Sequence, residues 1–143
     1  MDERGKIDGN LALARWSYEL WNSGGVEASV EHVWAHDIVF HEIPASPDAG
    51  VYSGIETFAA HAREIVDLGG HFQIDVRSLE GHGSWVLASL GQNFKGRTGG
   101  VAMTGSTFHL ARWEGGRVVD LRAFTDEAEA RREYERLAAA PSS

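Results

Sequence analysis

The chain of 143 residues contains no cysteine, only three prolines and only two methionines. Without cysteine it can form no disulfide, thiolate nucleophile or cysteine metal site, and this composition is typical of proteins in a reducing cytoplasm. Basic residues are also scarce, because 13 Lys and Arg stand against 21 Asp and Glu and leave a net charge of −8. A surface of this sign repels phosphate backbones, so we expect no nucleic-acid partner.

Long apolar runs are missing as well. None approaches the roughly 20 residues that a membrane span needs, and no apolar stretch resembling a signal peptide follows the first six residues. We therefore expect a cytoplasmic protein without a membrane partner. A content of 43% hydrophobic and 24% charged residues is typical of globular domains. With no internal repeat or linker, the sequence predicts a single domain over residues 1–143 with a frayed tail from about residue 138.

The hydrophobic pattern predicts helices in the first half of the chain. Apolar residues at helical spacing predict a helix over residues 7–22, which Gly24 and Gly25 end. A shorter helix is predicted over 26–34. A third begins at a capping box formed by Ser53 and Glu56 and ends at residues 69–70.

Alternating apolar and polar residues predict strands in the second half. One early strand, around residues 37–44, precedes the third helix, and four more follow it over 71–79, 84–94, 101–113 and 117–125. A final helix over 126–138 is capped by Asp126. These elements predict an α+β fold with three N-terminal helices packed on a strongly curved mixed sheet, plus a short C-terminal helix.

Glu42 is the most informative residue of the early strand. Side chains alternate between the two faces of a strand, so Ile38, Phe40 and Glu42 share one face, whereas His41 points to the other. A carboxylate on an apolar face is costly to bury unless it is paired, hydrogen-bonded or protonated, which makes Glu42 a candidate general base. The alternative is that Glu42 sits at the end of the strand and reaches water.

Four segments, 19–28, 34–42, 50–56 and 112–119, resemble a known family. They look like the first turn between helices, the aromatic-Ala-x-Asp lead into the first strand, the Gly-containing entry to the third helix, and the final hairpin of the cone-shaped family of nuclear transport factor 2, ketosteroid isomerase and SnoaL-type polyketide cyclases. The resemblance covers roughly residues 8–130. It implies an apolar cavity for a hydrophobic small molecule, no cofactor, and a homodimer.

The resemblance also implies roles for single residues. In ketosteroid isomerases an acid near the end of the first strand moves the proton, and the matching position is Glu42. A second acid on the penultimate strand donates to the oxyanion, and the matching position is His109. A tyrosine on the first helix completes that site, but the nearest match is Ser17, so Tyr18 is expected to point elsewhere. That departure argues against steroid isomerisation. The SnoaL-type cyclases use an acid together with histidines in a comparable cavity, so a Glu–His pair suits them at least as well.

If Glu42 and His109 meet in an apolar cavity, one can take a proton alpha to a carbonyl while the other stabilises the enolate. The resemblance and the apolar faces together predict the residues that contact the ligand: Trp16, Ser17, Phe40, Tyr52, Phe58 and Met103. The alternative is a Glu–His pair that only packs. No metal site is predicted, because the i, i+4 pair His32 and His36 lacks the Glu of a zinc protease motif.

The sequence therefore predicts a cofactor-independent isomerase or cyclase acting on a hydrophobic, polyketide- or steroid-like carbonyl compound. The first alternative is a non-catalytic ligand-binding or dimerisation module, whose outer sheet face would carry Val86, Ala88, Leu90, Phe108 and Leu110. Epoxide hydrolysis ranks lower because it would need an Asp–Arg–Asp water site, and the strand 101–113 contains no Asp.

Overall fold

The computed structural model describes residues 9–42, 50–70, 72–95 and 102–139, without the side chains at 68–69, 94–95 and 102–104. Its elements, in order, are α1 (Asn10–His32), β1 (Trp34–Glu42), β2 (Val51–Ser53), α2 (Ile55–Gly69), β3 (Phe72–His82), β4 (Trp85–Lys95), β5 (Ala102–Glu114), β6 (Arg117–Phe124) and α3 (Glu127–Ala139). The predicted α+β class is confirmed, with three helices and a six-stranded mixed sheet in the described residues.

Gly25 divides the first helix. Its backbone angles, φ 65 and ψ −151, lie outside the helical region within the span of α1, in a conformation that glycine adopts far more readily than other residues. The predicted boundary between two N-terminal helices is therefore present as a break inside α1. Beyond the break, Val26 and Ser29 are buried, so the second segment packs on the core as the first one does.

The capping box predicted for the third helix is wrong. Gly54, with φ 90, occupies the N-cap of α2 and makes no side-chain hydrogen bond there. Ser53 instead ends β2, where it pairs with Val39 of β1. A strand of three residues is too short to leave a period-two pattern, so the sequence carries no signal for β2 (Val51–Ser53) and Ser53 resembles a helix cap. The cap of α3 is confirmed, because Asp126 Oδ1 accepts from the backbone N–H of Ala128 at 2.8 Å.

The sheet has the order β2-β1-β6-β5-β4-β3. Among the strands that the structure describes, only β1 and β6 run parallel to each other, and every other neighbouring pair is antiparallel. The predicted hairpin between β5 and β6 is confirmed, with Gly115 and Gly116 both at positive φ, 57 and 80, as a type I′ turn requires. The register places Glu42 of β1 opposite Ala123 of β6, and Ala123 opposite His109 of β5.

The two faces of the sheet pack against different helices. The inner face contributes Ile38, Val86 and Leu90 to a core shared with α1 and α2. On the outer face, α3 covers a second apolar cluster, which comprises Trp85, Leu87, Phe108, Leu110, Phe124 and Ala130. His41 also lies on this outer side, with its Nε2 3.4 Å from Asp120 Oδ2.

The predicted outer face is therefore wrong on β4. Val86, Ala88 and Leu90 belong to the inner core, whereas Phe108 and Leu110 of β5 do face outward but lie against α3. The physical reason is that β4 is buried on both faces, so its apolar residues form a continuous run and alternation carries no signal. No helix within the described ranges is long and apolar enough to cross a membrane.

Candidate active site

A cavity of about 290 Å³ lies between the inner face of the sheet and the helices α1 and α2. Its volume is near the lower limit of ligand pockets, roughly 300–1,000 Å³. Aromatic side chains form much of the wall, among them Trp21, Trp34, Phe40, Phe58, Phe72 and Trp113. The polar residues of the wall include Ser17, Ser29, Gln92, Thr107 and two pairs of titratable side chains. Each of these two pairs joins the sheet to one of the helices.

The first pair consists of Glu42, at the end of β1, and His61, on α2. Glu42 Oε2 lies 2.8 Å from His61 Nε2, at hydrogen-bonding distance. The carboxylate side chain is 40% exposed and the imidazole 15%, so the carboxylate can reach a ligand while its partner is held by packing. Tyr52 stacks on the His61 ring at 4.1 Å between centroids and 17° between planes. This stacking fixes the ring, and the ring orients the carboxylate.

The second pair consists of Tyr18, on α1, and His109, on β5. The Tyr18 hydroxyl lies 3.1 Å from His109 Nδ1. Burial lowers the pKa of His109 from 6.5 to about 4, and burial also raises the pKa of Tyr18 well above its usual value. Both groups are therefore neutral near pH 7. A neutral pair shares two polar hydrogens, of which one lies between the rings, so one O–H or N–H donor remains for a ligand.

The expectation that Tyr18 points away from the cavity is wrong. Ser17 and Tyr18 both line the cavity, because neighbouring helical residues lie only about 100° apart and a wide cavity can contact both. The Ser17 hydroxyl donates to the carbonyl of Ala14 at 2.7 Å, so it is already satisfied within the helix. Trp16 is not among the lining residues; its ring lies edge-on to His32, 6.5 Å away.

Glu42 and His109 both line the cavity, as the resemblance implied, but neither is the other's hydrogen-bond partner. They lie at the two ends of a row of three residues, with Ala123 between them. Since neighbouring strands are about 4.8 Å apart, their Cα atoms are separated by roughly 10 Å. This separation leaves room for part of a ligand between a carboxylate on one side and a neutral donor on the other.

The other predicted contacts have mixed positions. Phe40 and Phe58 line the cavity and stack on each other at 4.6 Å. Tyr52 stands behind His61 and does not line the cavity itself. The side chain of Met103 lies outside the described residues.

Sequence reasoning missed His61 as a partner of Glu42. A signal was present, because His61 follows Phe58 by three residues and adjoins the apolar face of α2. Among the described residues, no three His, Asp or Glu side chains are placed to hold a metal ion.

Comparison with known proteins gives one family. The model of the SnoaL-like polyketide cyclase family matches residues 11–134. Among proteins with curated descriptions, none matches the chain significantly.

Solved structures share the fold at low sequence identity. An NTF2-like protein of unknown function from Burkholderia pseudomallei is 20% identical, with a TM-score of 0.68 over 94% of this chain and 100% of its own. TerC, co-crystallised with polyporic acid, is 13% identical, with a TM-score of 0.68 over 88% and 98%. A Catenulispora acidiphila protein with a ketosteroid isomerase-like fold, in complex with trimethylamine, is 9% identical, with a TM-score of 0.66 over 82% and 88%.

Proposed function

We propose that this chain, which belongs to the SnoaL-like polyketide cyclase family, is a cofactor-independent enzyme that isomerises or cyclises a hydrophobic carbonyl compound by proton transfer. Glu42 is the base and the pair of Tyr18 and His109 is the donor to the carbonyl oxygen. His61 is a positioning residue for the base, because its ring nitrogen lies at hydrogen-bonding distance from the Glu42 carboxylate.

The proposed chemistry has two steps. A Glu42 oxygen removes a proton from the carbon alpha to the carbonyl, and the electron pair of that C–H bond forms an enolate. The oxygen of the enolate accepts a hydrogen bond from the free donor of Tyr18 and His109, a type of contact worth roughly 3–4 kcal/mol when the donor is preorganised. If a C=C bond of the substrate is conjugated with the enolate, the far carbon of this dienolate takes the proton back from Glu42, which is isomerisation. If the molecule has a second carbonyl, the enolate carbon bonds to that carbonyl carbon, its C=O π pair moves to its oxygen, and the resulting alkoxide takes the proton from Glu42, which is cyclisation.

The observation that carries this proposal is the presence of two separate pairs of titratable side chains in one mostly apolar cavity. If the Glu42–His61 pair were only structural, the cavity would not need the Tyr18–His109 pair. If the Tyr18–His109 pair were only structural, the cavity would not need a carboxylate. Together they supply a proton acceptor and an oxyanion donor on opposite sides of one space, which is the arrangement that enolisation requires. The donor is neutral at pH 7 because burial lowers the pKa of His109 to about 4, so it does not neutralise the carboxylate.

The wall of the cavity supports a flat, apolar ligand. Phe40 and Phe58 are stacked at 4.6 Å, and Trp34 lies 4.3 Å from Phe58. Aromatic walls of this kind favour ring systems, which pack on them in offset or edge-on geometry. Two neighbours of the same fold are crystallised with small molecules, polyporic acid for TerC and trimethylamine for the Catenulispora protein, which supports a small-molecule ligand here too.

Removal of the base tests the proposal. We expect Glu42→Gln to reduce the rate of proton removal by roughly 10²–10⁴-fold, the usual contribution of a general base, because Gln keeps the shape and the contact with His61 but cannot accept the proton. The measurement is deuterium uptake from D2O at the alpha carbon of 2-tetralone and related bicyclic ketones, followed by mass spectrometry. This assay reports the base whether the natural reaction is isomerisation or cyclisation.

The matched control is Glu56→Gln, the same change at an exposed carboxylate in the first turn of α2. It should exchange deuterium at the wild-type rate. If the wild type promotes no exchange in any bicyclic ketone yet binds them, the chain is a ligand-binding module and the proposal is wrong. If Glu42→Gln exchanges as fast as the wild type, another group is the base.

A further inference from the structure

Ala123 occupies the space between the two polar pairs. It pairs with Glu42 on one side and with His109 on the other, and it lines the cavity. Residues paired across neighbouring strands point to the same face of a sheet, so all three side chains project into the cavity. Of these three residues, the middle one has the smallest side chain, a single methyl group.

The neighbouring inward-facing residue of β6 shows the effect of a larger side chain. Leu121, two residues before Ala123, pairs with Phe40 and with Ala111 and also lines the cavity. Leu121 is buried in the core, so its side chain fills the space between those two strands. At Ala123 this space is open, because the side chain stops at the methyl group and the residue is only half-buried.

The two polar pairs lie on either side of this open space. Glu42 is linked to His61 of α2, and His109 is linked to Tyr18 of α1, so each pair forms a bridge from the sheet to a helix. A ligand that reaches both pairs must cross the floor between the two bridges. The floor is Ala123, and its width is two strand spacings, roughly 10 Å.

We infer that Ala123 is a specificity-determining residue whose small side chain admits a flat ring between the donor pair and Glu42. The inference rests on the proposed function for the roles of the two pairs. A ring bound at the Tyr18–His109 donor extends over the Ala123 methyl group toward Glu42. A larger side chain at this position separates the two pairs, and only ligands that contact the donor alone still fit.

Two phenols of different length test this role by calorimetric titration. Phenol has one ring, which extends from the donor only as far as Ala123, about one strand spacing away. 2-Naphthol adds a second ring that must pass over Ala123 toward Glu42. The variants form a size series, Ala123→Ser, Ala123→Val and Ala123→Leu. Because the side chain projects into a cavity, we expect all three to keep the wild-type circular dichroism spectrum and a melting temperature close to that of the wild type.

We expect the Kd of 2-naphthol to rise with side-chain size, by less than threefold in Ala123→Ser and by more than tenfold in Ala123→Leu. The Kd of phenol, whose ring reaches residue 123 only at its far end, should rise by a smaller factor in every variant. Equal loss of both ligands would mean that the cavity has collapsed generally, and unchanged binding of 2-naphthol by a folded Ala123→Leu would mean that the ring takes another route. Either result overturns the inference.

The outcome is independent of the deuterium-exchange test. If 2-naphthol follows the size series but no ketone exchanges deuterium, Ala123 limits ligand size in a binding protein and only the proposed reaction fails. If Glu42→Gln abolishes exchange but the phenols do not follow the series, the reaction stands and the role of Ala123 is wrong.

Discussion

His109 should make the stability of the protein depend on pH in a way that a single substitution removes. In the unfolded chain the imidazole binds a proton near pH 6.5, whereas burial lowers its pKa in the folded protein to about 4. Between these values the unfolded state binds more protons than the folded state, so the free energy of unfolding rises with pH. The free energy of unfolding is therefore highest above pH 6.5, where His109 is neutral in both states, and it decreases as the pH falls toward 4.

The structure sets the magnitude of this effect. A difference of one pH unit between the two pKa values corresponds to about 1.36 kcal/mol, so the gap between 6.5 and about 4 gives about 3 kcal/mol. This figure is an upper limit, because His109 lines a cavity that opens to solvent. His109→Gln keeps a polar group near the Tyr18 hydroxyl but cannot be protonated, and it should lose this part of the pH dependence.

The assay is urea unfolding of the wild type and His109→Gln at several pH values between 4 and 7. We expect the difference between their free energies of unfolding to change by at most about 3 kcal/mol over this range, in favour of the wild type at high pH. His36→Gln, at an exposed side chain, controls for the loss of one histidine. A difference that stays constant within about 0.5 kcal/mol would refute the reasoning, because His109 would then titrate alike in both states.

Two further substitutions test the donor pair and the helix break. Tyr18→Phe removes the hydroxyl that lies 3.1 Å from His109 Nδ1, and we expect deuterium uptake by 2-tetralone to fall roughly 10²-fold, with a loss of about 1 kcal/mol in the free energy of unfolding. If the double variant Tyr18→Phe, His109→Gln exchanged deuterium at the wild-type rate, the result would contradict the pairing of these two residues. Gly25→Ala should lower the free energy of unfolding in urea by about 1–3 kcal/mol, because a φ of 65 is strained for a residue with a side chain. Ser23→Ala, at an exposed position, is the control. Equal stability of the two variants would contradict this reason.

The sequence located one member of each polar pair but not its partner. Glu42 follows from alternation on a strand and His109 from the resemblance, since both depend on position within one element. The partners His61 and Tyr18 depend on how α2 and α1 are rotated against the sheet. That rotation is decided by packing in the core, and a helix shifted by a fraction of a turn would present different side chains.

The strands show the same division between local and tertiary information. The hairpin at Gly115 and Gly116 was predictable because its turn chemistry is local. The sequence could not predict which residues of β4 point to each face, because both of its faces are buried. Trp85 and Leu87 lie under α3, and Val86 and Leu90 lie in the inner core. Where burial is one-sided, as for Phe40 and Glu42 on β1, the pattern was sufficient.

The parallel pairing of β1 with β6 has a consequence for how the protein folds. The first strand with functional side chains pairs with the last strand of the chain, and the register of Glu42 with Ala123 spans most of the sequence. Contacts of such long sequence separation carry a loop-closure cost and form late. During synthesis, the β3-β4-β5 meander can pair as soon as it emerges, but the carboxylate and the donor come together only when β6 is complete. A nascent chain that has not completed β6 therefore lacks the strand that joins Glu42 to His109.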